Sequence, residues 1–194
     1  FEANCIITVL QPVTGVTLDK EEVTIKVGDI TVLHEEVLPS DATNKEVIWS
    51  SSNENVVTIK NGAVTALSNG EATVTVTTVD GSFKDTCKVI VLQPVAGVSL
   101  NKHTHTLNVN ETVTLLAAVS PSNATNKDVV WSSSNESVAT VDNGIVKALS
   151  KGTATISVTT VDGLYKDTCV ITVLQQVTGV TLSKEEISIN IPVP

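Results

Sequence analysis

The amino-acid sequence predicts an all-β protein built of antiparallel β-sandwiches in tandem, and three observations carry that expectation. The chain repeats itself at a period of 82 residues without a gap, so that Gly15 falls on Gly97 and Gly179, Trp49 on Trp131, Pro39 on Pro121, and Cys5 on Cys87 and Cys169. Residues 11–92 and 93–174 are identical at 47 of the 82 positions in that register. Short runs rich in Val, Ile and Thr alternate between two faces, and turn formers interrupt them about every eight to twelve residues. No stretch shows the helical spacing of apolar residues.

The period defines two complete modules, 11–92 and 93–174. Residues 1–10 match the last strand of a preceding module, and 175–194 match the first strands of a following one, so the chain is expected to be a window on a longer array. In the first module, 13–18 and 23–27 are expected strands, and Gly28-Asp29 turns the chain into a strand over 30–38. Residues 39–44, Pro-Ser-Asp-Ala-Thr-Asn, are all loop formers. A strand over 46–51 carries Trp49 at its centre. The runs 56–60 and 63–67 flank Asn61-Gly62, a two-residue hairpin signal because both residues tolerate positive φ. The runs 71–79 and 82–92 flank Asp80-Gly81, which has the same form; Asn143-Gly144 and Asp162-Gly163 repeat both turns. In 72–78 the residues Ala72, Val74 and Val76 share one face and Thr73, Thr75 and Thr77 the other, the pattern of a half-buried sheet.

Four side chains are expected in the core. Aromatic residues make up only 3% of the chain, so Trp49 and Trp131 are the largest groups available to fill the space between the sheets, as a third-strand Trp does in immunoglobulin-like sandwiches. A sugar-stacking role is the alternative for them. Cys87 and Cys169 alternate in phase with inward Val and Ile, and one Cys per module cannot close a disulfide within it, so each is expected to act as a small buried hydrophobe. Glu35 breaks the pattern: it falls in phase with Leu33 and Val37 where the second module has Ala117. A carboxylate there is expected at the sandwich rim, or turned outward by a bulge.

The sequence resembles the bacterial immunoglobulin-like domain group 2. The resemblance rests on V-x-G-V-x-L-x-K at 13–20, on P-S-[DN]-A-T-N-K-x-V-x-W-S-S-S-N at 39–53 and on N-G-x-V-x-A-L-S-x-G-x-A-T at 61–73, each recurring 82 residues later. It implies small β-sandwiches strung in tandem on bacterial surface proteins, on adhesins of the invasin and intimin type, on secreted enzymes as accessory modules, or on phage fibres. It does not imply one activity.

Net charge is −9, and all twelve basic residues are Lys. The lack of Arg disfavours bidentate phosphate and base recognition, so nucleic acid is not an expected partner. No apolar run approaches the roughly 20 residues that span a bilayer as a helix. His103 and His105 offer half a metal site at best, and the turn residues Asp41, Asp80, Asp142 and Asp162 do not repeat as an oxygen cage, so no cofactor or metal is expected. The expected function is therefore a non-enzymatic stalk or spacer of an extracellular bacterial or phage surface fibre. Its expected partners are neighbouring modules of the same chain and other copies in a fibre; the alternatives are a module that binds a glycan or host protein, or an accessory domain of a secreted hydrolase. Strands of about eight residues, at roughly 3.4 Å each with end loops, predict about 35–45 Å per module. Pro94, in the short Gln93-Pro94 connection, stiffens the joint. Solution scattering is expected to give an elongated particle, and a compact globule would count against a spacer.

Overall fold

The computed structural model describes residues 8–181. Most of the closing strand expected at 1–10 and of the opening strands expected at 175–194 lies outside the described residues. The first module holds β1 (Gly15–Leu18), β2 (Glu22–Lys26), β3 (Ile30–Val32), β4 (Glu35–Leu38), β5 (Val47–Ser51), β6 (Val57–Lys60), β7 (Ala63–Ala66), β8 (Gly70–Thr78) and β9 (Lys84–Leu92). The second repeats them as β10 (Gly97–Leu100), β11 (Thr104–Asn108), β12 (Thr112–Thr114), β13 (Ala117–Ser120), β14 (Val129–Ser133), β15 (Ala139–Asp142), β16 (Ile145–Ala148), β17 (Gly152–Thr160) and β18 (Lys166–Leu174). Every sheet draws its strands from one of these two sets.

In each module a four-stranded sheet, ordered β2-β9-β8-β5 in the first, faces a three-stranded sheet, β3-β7-β6, and a two-stranded one, β1-β4. The ladders of the first module are antiparallel except β2 with β9, which run parallel with Glu22 opposite Lys88 and Lys26 opposite Leu92. The same parallel ladder joins β11 to β18. The long strand expected over 30–38 is in fact two, because the chain changes sheets after Val32. Leu33 N–H donates to the Gly62 carbonyl at 2.9 Å, ending the pairing with β7. His34 N–H donates to Asp19 Oδ1 at 2.9 Å, starting the pairing with β1.

That switch also explains Glu35. It stands opposite Leu18, two positions along the ladder from the inward pair Val16 and Val37, and the ladder ends there. Its side chain is exposed at the rim.

The core is built of small side chains. Val57, Val64, Val74, Cys87 and Val89 are fully buried between the four- and three-stranded sheets. Val13, Val16, Val37, Ala42 and Val76 form a second cluster beneath the β1-β4 pair. Along β8, Ala72, Val74 and Val76 are buried while Thr73, Thr75 and Thr77 lie on the outer face.

Asn61-Gly62 is a two-residue hairpin turn, with Lys60 opposite Ala63 and φ of 49° and 78° at its two central residues. These mirror-image values match the twist of the flanking strands. Glycine is required at 62 twice over, since an added Cβ would lie 2.5 Å from the Leu33 carbonyl oxygen as well as at positive φ. Gly144 meets the Leu115 carbonyl in the same way. Gly62→Ala and Gly144→Ala should each destabilise their own module by about 2 kcal/mol or more. Urea unfolding checks this, and an unchanged midpoint in either variant would contradict the assigned contact.

Candidate functional site

Two carboxylates that the modules repeat unchanged, Asp80 and Asp85 in the first and Asp162 and Asp167 in the second, act where the first strand closes against the last hairpin. Val13 precedes β1 and Leu18 ends it, and their N–H groups find carboxylates instead of a strand's carbonyls. Val13 N–H donates to Asp80 Oδ2 at 3.1 Å and Leu18 N–H to Asp85 Oδ2 at 2.7 Å. The second module repeats both bonds, from Val95 to Asp162 at 3.0 Å and from Leu100 to Asp167 at 2.7 Å. A carboxylate accepting a partly buried N–H forms a charge-assisted bond, stronger than a neutral one.

Asp80 reaches Val13 because its loop is wider than expected. The structure corrects the reading of Asp80-Gly81 as a two-residue turn: β8 ends at Thr78, β9 begins at Lys84, and the positive φ values fall on Gly81 and Ser82. The cause is the buried Thr78 hydroxyl, which donates to the Asp80 carbonyl at 2.7 Å and accepts Phe83 N–H at 3.0 Å. Thr160 does the same with Asp162 and Tyr165.

The Ser-Ser-Asn run after Trp49 is spent in a similar way. Ser51 Oγ accepts Asn53 N–H at 3.2 Å, Asn53 Oδ1 accepts Asn55 N–H at 3.2 Å, and the Asn53 carbonyl accepts Val56 and Val57 N–H. Ser52 and Thr73 exchange two bonds, and Ser68 Oγ donates to the Asn55 carbonyl. In the loop before β5, Lys45 Nζ donates to the Ser40 carbonyl and Thr43 Oγ1 accepts Gln11 N–H at 2.8 Å. The sequence marked these residues as loop formers without showing which amides they satisfy.

The four residues expected in the core are placed as follows. Trp49 is half-buried and packs against both clusters of the first module, with its ring over the Gly62 turn. Trp131 packs half-buried against the core of the second module, over Gly144. Cys87 and Cys169 are fully buried free thiols, and burial pushes both above the ordinary thiol range.

The candidate ligands do not converge. His103 lies just before β11, where its Nε2 is 3.1 Å from Asp167 Oδ2, while His105 takes a half-buried position in phase with Leu107. Among the described residues no three His, Cys, Asp or Glu side chains are grouped to hold a metal ion. Asp41 sits in an exposed turn and Asp142 at the exposed end of β15, and Asp80 and Asp162 are committed to backbone amides. The outer face of the first module's four-stranded sheet carries a polar depression of about 280 Å³, crossed by a Lys88–Glu71 ion pair at 3.1 Å. No aromatic side chain lines it.

Partial burial works against the charged form of Asp167, but the N–H donors of Leu100 and Thr168 and the His103 ring outweigh it and hold the carboxyl below the usual carboxylate range. A depressed folded-state value stabilises above the unfolded-state pKa, and that stability is lost as pH falls through the folded value. Asp167→Ala should therefore cost the second module about 1–2 kcal/mol near pH 7, with the difference from the unmodified protein shrinking toward pH 3. Denaturant titrations at the two pH values measure this, and an equal loss at both would be the contrary result.

The family model for the bacterial Ig-like domain (group 2) matches residues 12–89 and again 94–171. A protein of Clostridium acetobutylicum described only as uncharacterized is 39% identical over 153 residues, 77% of this chain and 16% of that protein. An Ig-like virion protein of Serratia phage KSP90 is 36% identical over 169 residues, 84% of this chain and 66% of that protein. A kappa-carrageenase of Pseudoalteromonas carrageenovora is 51% identical over 67 residues, 34% of this chain and 17% of the enzyme. The chain thus spans less than two thirds of each of these relatives. With two matches in tandem, laid over strands and turns that the repeated residues build, the chain belongs to the bacterial Ig-like domain group 2 family.

Proposed function

We propose that the chain is a non-enzymatic structural spacer, a pair of modules from an extracellular fibre or surface protein of a bacterium or phage. One observation carries the reading: a set of polar side chains that both modules repeat unchanged is spent on holding the module together. Asp80, Asp85, Thr78, Ser52 and Asn53, with their counterparts 82 residues on, satisfy backbone groups of their own module. A binding module presents its invariant polar groups to a ligand; a spacer spends them on itself. The virion-protein relative supports an exterior setting.

An accessory domain of a secreted hydrolase is the second reading, favoured by the carrageenase match, which covers 34% of this chain and only 17% of that enzyme. Either way the chain's own partners would be neighbouring modules, or further copies of itself in a fibre. A surface that grips a glycan or host protein is the competing possibility, and the two Trp residues decide it. Trp49→Ala and Trp131→Ala should each destabilise their own module by about 3 kcal/mol, the lower end for a large aromatic because each ring is only half-buried. The unmodified chain should show no retention on immobilised polysaccharides or host glycoproteins. Retention that either substitution abolishes, with stability unchanged, would replace the spacer reading with a recognition role.

A further inference from the structure

We propose that each module is a load-bearing unit whose parallel terminal ladder, β2 with β9 and β11 with β18, is a shear clamp against tension along the chain. The inference builds on the spacer reading, because a spacer is pulled through its two ends. The clamp itself is a property of the isolated chain and can fail or hold independently of that reading.

Direction is the first point. β2 lies near the start of the module and β9 ends it, and the two run parallel with Glu22 opposite Lys88 and Lys26 opposite Leu92. Tension draws β2 back toward its amino end and β9 forward toward its carboxyl end. The paired strands are therefore pulled past one another along their axes, and all the ladder bonds are strained together. An antiparallel terminal pair, with both chain ends at one end of the ladder, would open one bond at a time.

The ladder is also closed at both ends and dry on one side. Lys88 N–H donates to the Glu21 carbonyl at 2.8 Å, and Val27 N–H to the Leu92 carbonyl at 2.9 Å. Even spacing of bonds in a parallel ladder puts the N–H groups of Val23 and Ile25 on the carbonyls between. Val89 and Val91 are buried beneath it and Val23 and Ile25 pack against the same core, so water has poor access to that face. The second module keeps the device, with Val170 N–H on the His103 carbonyl at 2.8 Å and Val109 N–H on the Leu174 carbonyl at 3.1 Å.

Load meets β1 before it meets the clamp. There the Asp80 and Asp85 carboxylates grip Val13 and Leu18, tying the incoming chain to the β8–β9 loop and to β9 itself. Force is thereby passed from the first strand directly to the last without crossing the core.

The test is single-molecule force spectroscopy on the whole chain between marker domains. Pulled from its ends it should unfold in two events, each releasing about 240 Å, the extended length of 82 residues less the roughly 40 Å that the folded module already spans. Val23→Pro removes a ladder donor and should lower the unfolding force of one event by about twofold or more, leaving the other unchanged. Val64→Ala, a fully buried change on β7 outside the ladder, should lower thermal stability while leaving the force nearly as it was. Should Val23→Pro not fold, the otherwise unmodified module can be pulled through cysteines introduced as Lys20→Cys and Lys88→Cys, both at the amino end of the ladder. That geometry peels the ladder bond by bond and should need about half the end-to-end force or less. Equal forces in the two geometries, or an equal loss of force from Val64→Ala and Val23→Pro, would overturn the clamp. If the clamp holds but the chain is retained on glycans, only the spacer reading fails.

Discussion

Two carboxylates reaching back across 67 residues close each module, and much of the architecture follows from that closure. The amides of Val13 and Leu18 lie beside a strand that pairs on one edge only, with β4. A partly buried N–H without a partner costs as much as a lost hydrogen bond. Asp80 and Asp85 remove that cost and at the same time set the distance between the start of the module and its last hairpin. With β1 fixed there, the chain continues into β2 at the edge of the other sheet, beside β9.

The core suits such a closure because it contributes little bulk of its own. Val and Ala dominate both clusters of the first module, and the largest side chain sits to one side of them. Trp49, from the outermost strand of the four-stranded sheet, packs against both clusters and covers the Gly62 turn. Small core side chains, one large aromatic wedge and a set of hydroxyl and carboxylate locks on the loops compensate for one another. The Ser52–Thr73 exchange, for example, continues the pairing of β5 with β8 past the point where the strand ends.

The most legible features were those governed by short-range rules. Strand alternation placed the buried and exposed residues of β8, because a period of two leaves no freedom once one face is in the core. Asn61-Gly62 gave away its turn because few other residue pairs adopt positive φ twice in succession. The break at Leu33-His34 was not legible, since it is made by Gly62 and Asp19, one far downstream and one upstream, and 30–38 alone reads as an unbroken strand. The same limit hid the second role of Asp80. Local turn chemistry already accounted for an Asp before Gly, and nothing nearby indicated that its carboxylate would be needed at Val13. The parallel pairing of β2 with β9 was likewise invisible, because strand direction depends on the path of the whole module and not on the composition of either strand.

The span of the closure has one further consequence. Each carboxylate and the amide it holds are 67 residues apart, inside a period of 82, so an insertion or deletion of one whole period leaves every such pair intact. Tandem segments alike at 47 of 82 positions can gain or lose a whole copy, and a module whose closing contacts were longer than the period would not survive such a change. Here the repeat period coincides with the unit of folding. Module number can therefore change in a single genetic event, with every strand, turn and lock of each remaining module kept as it was.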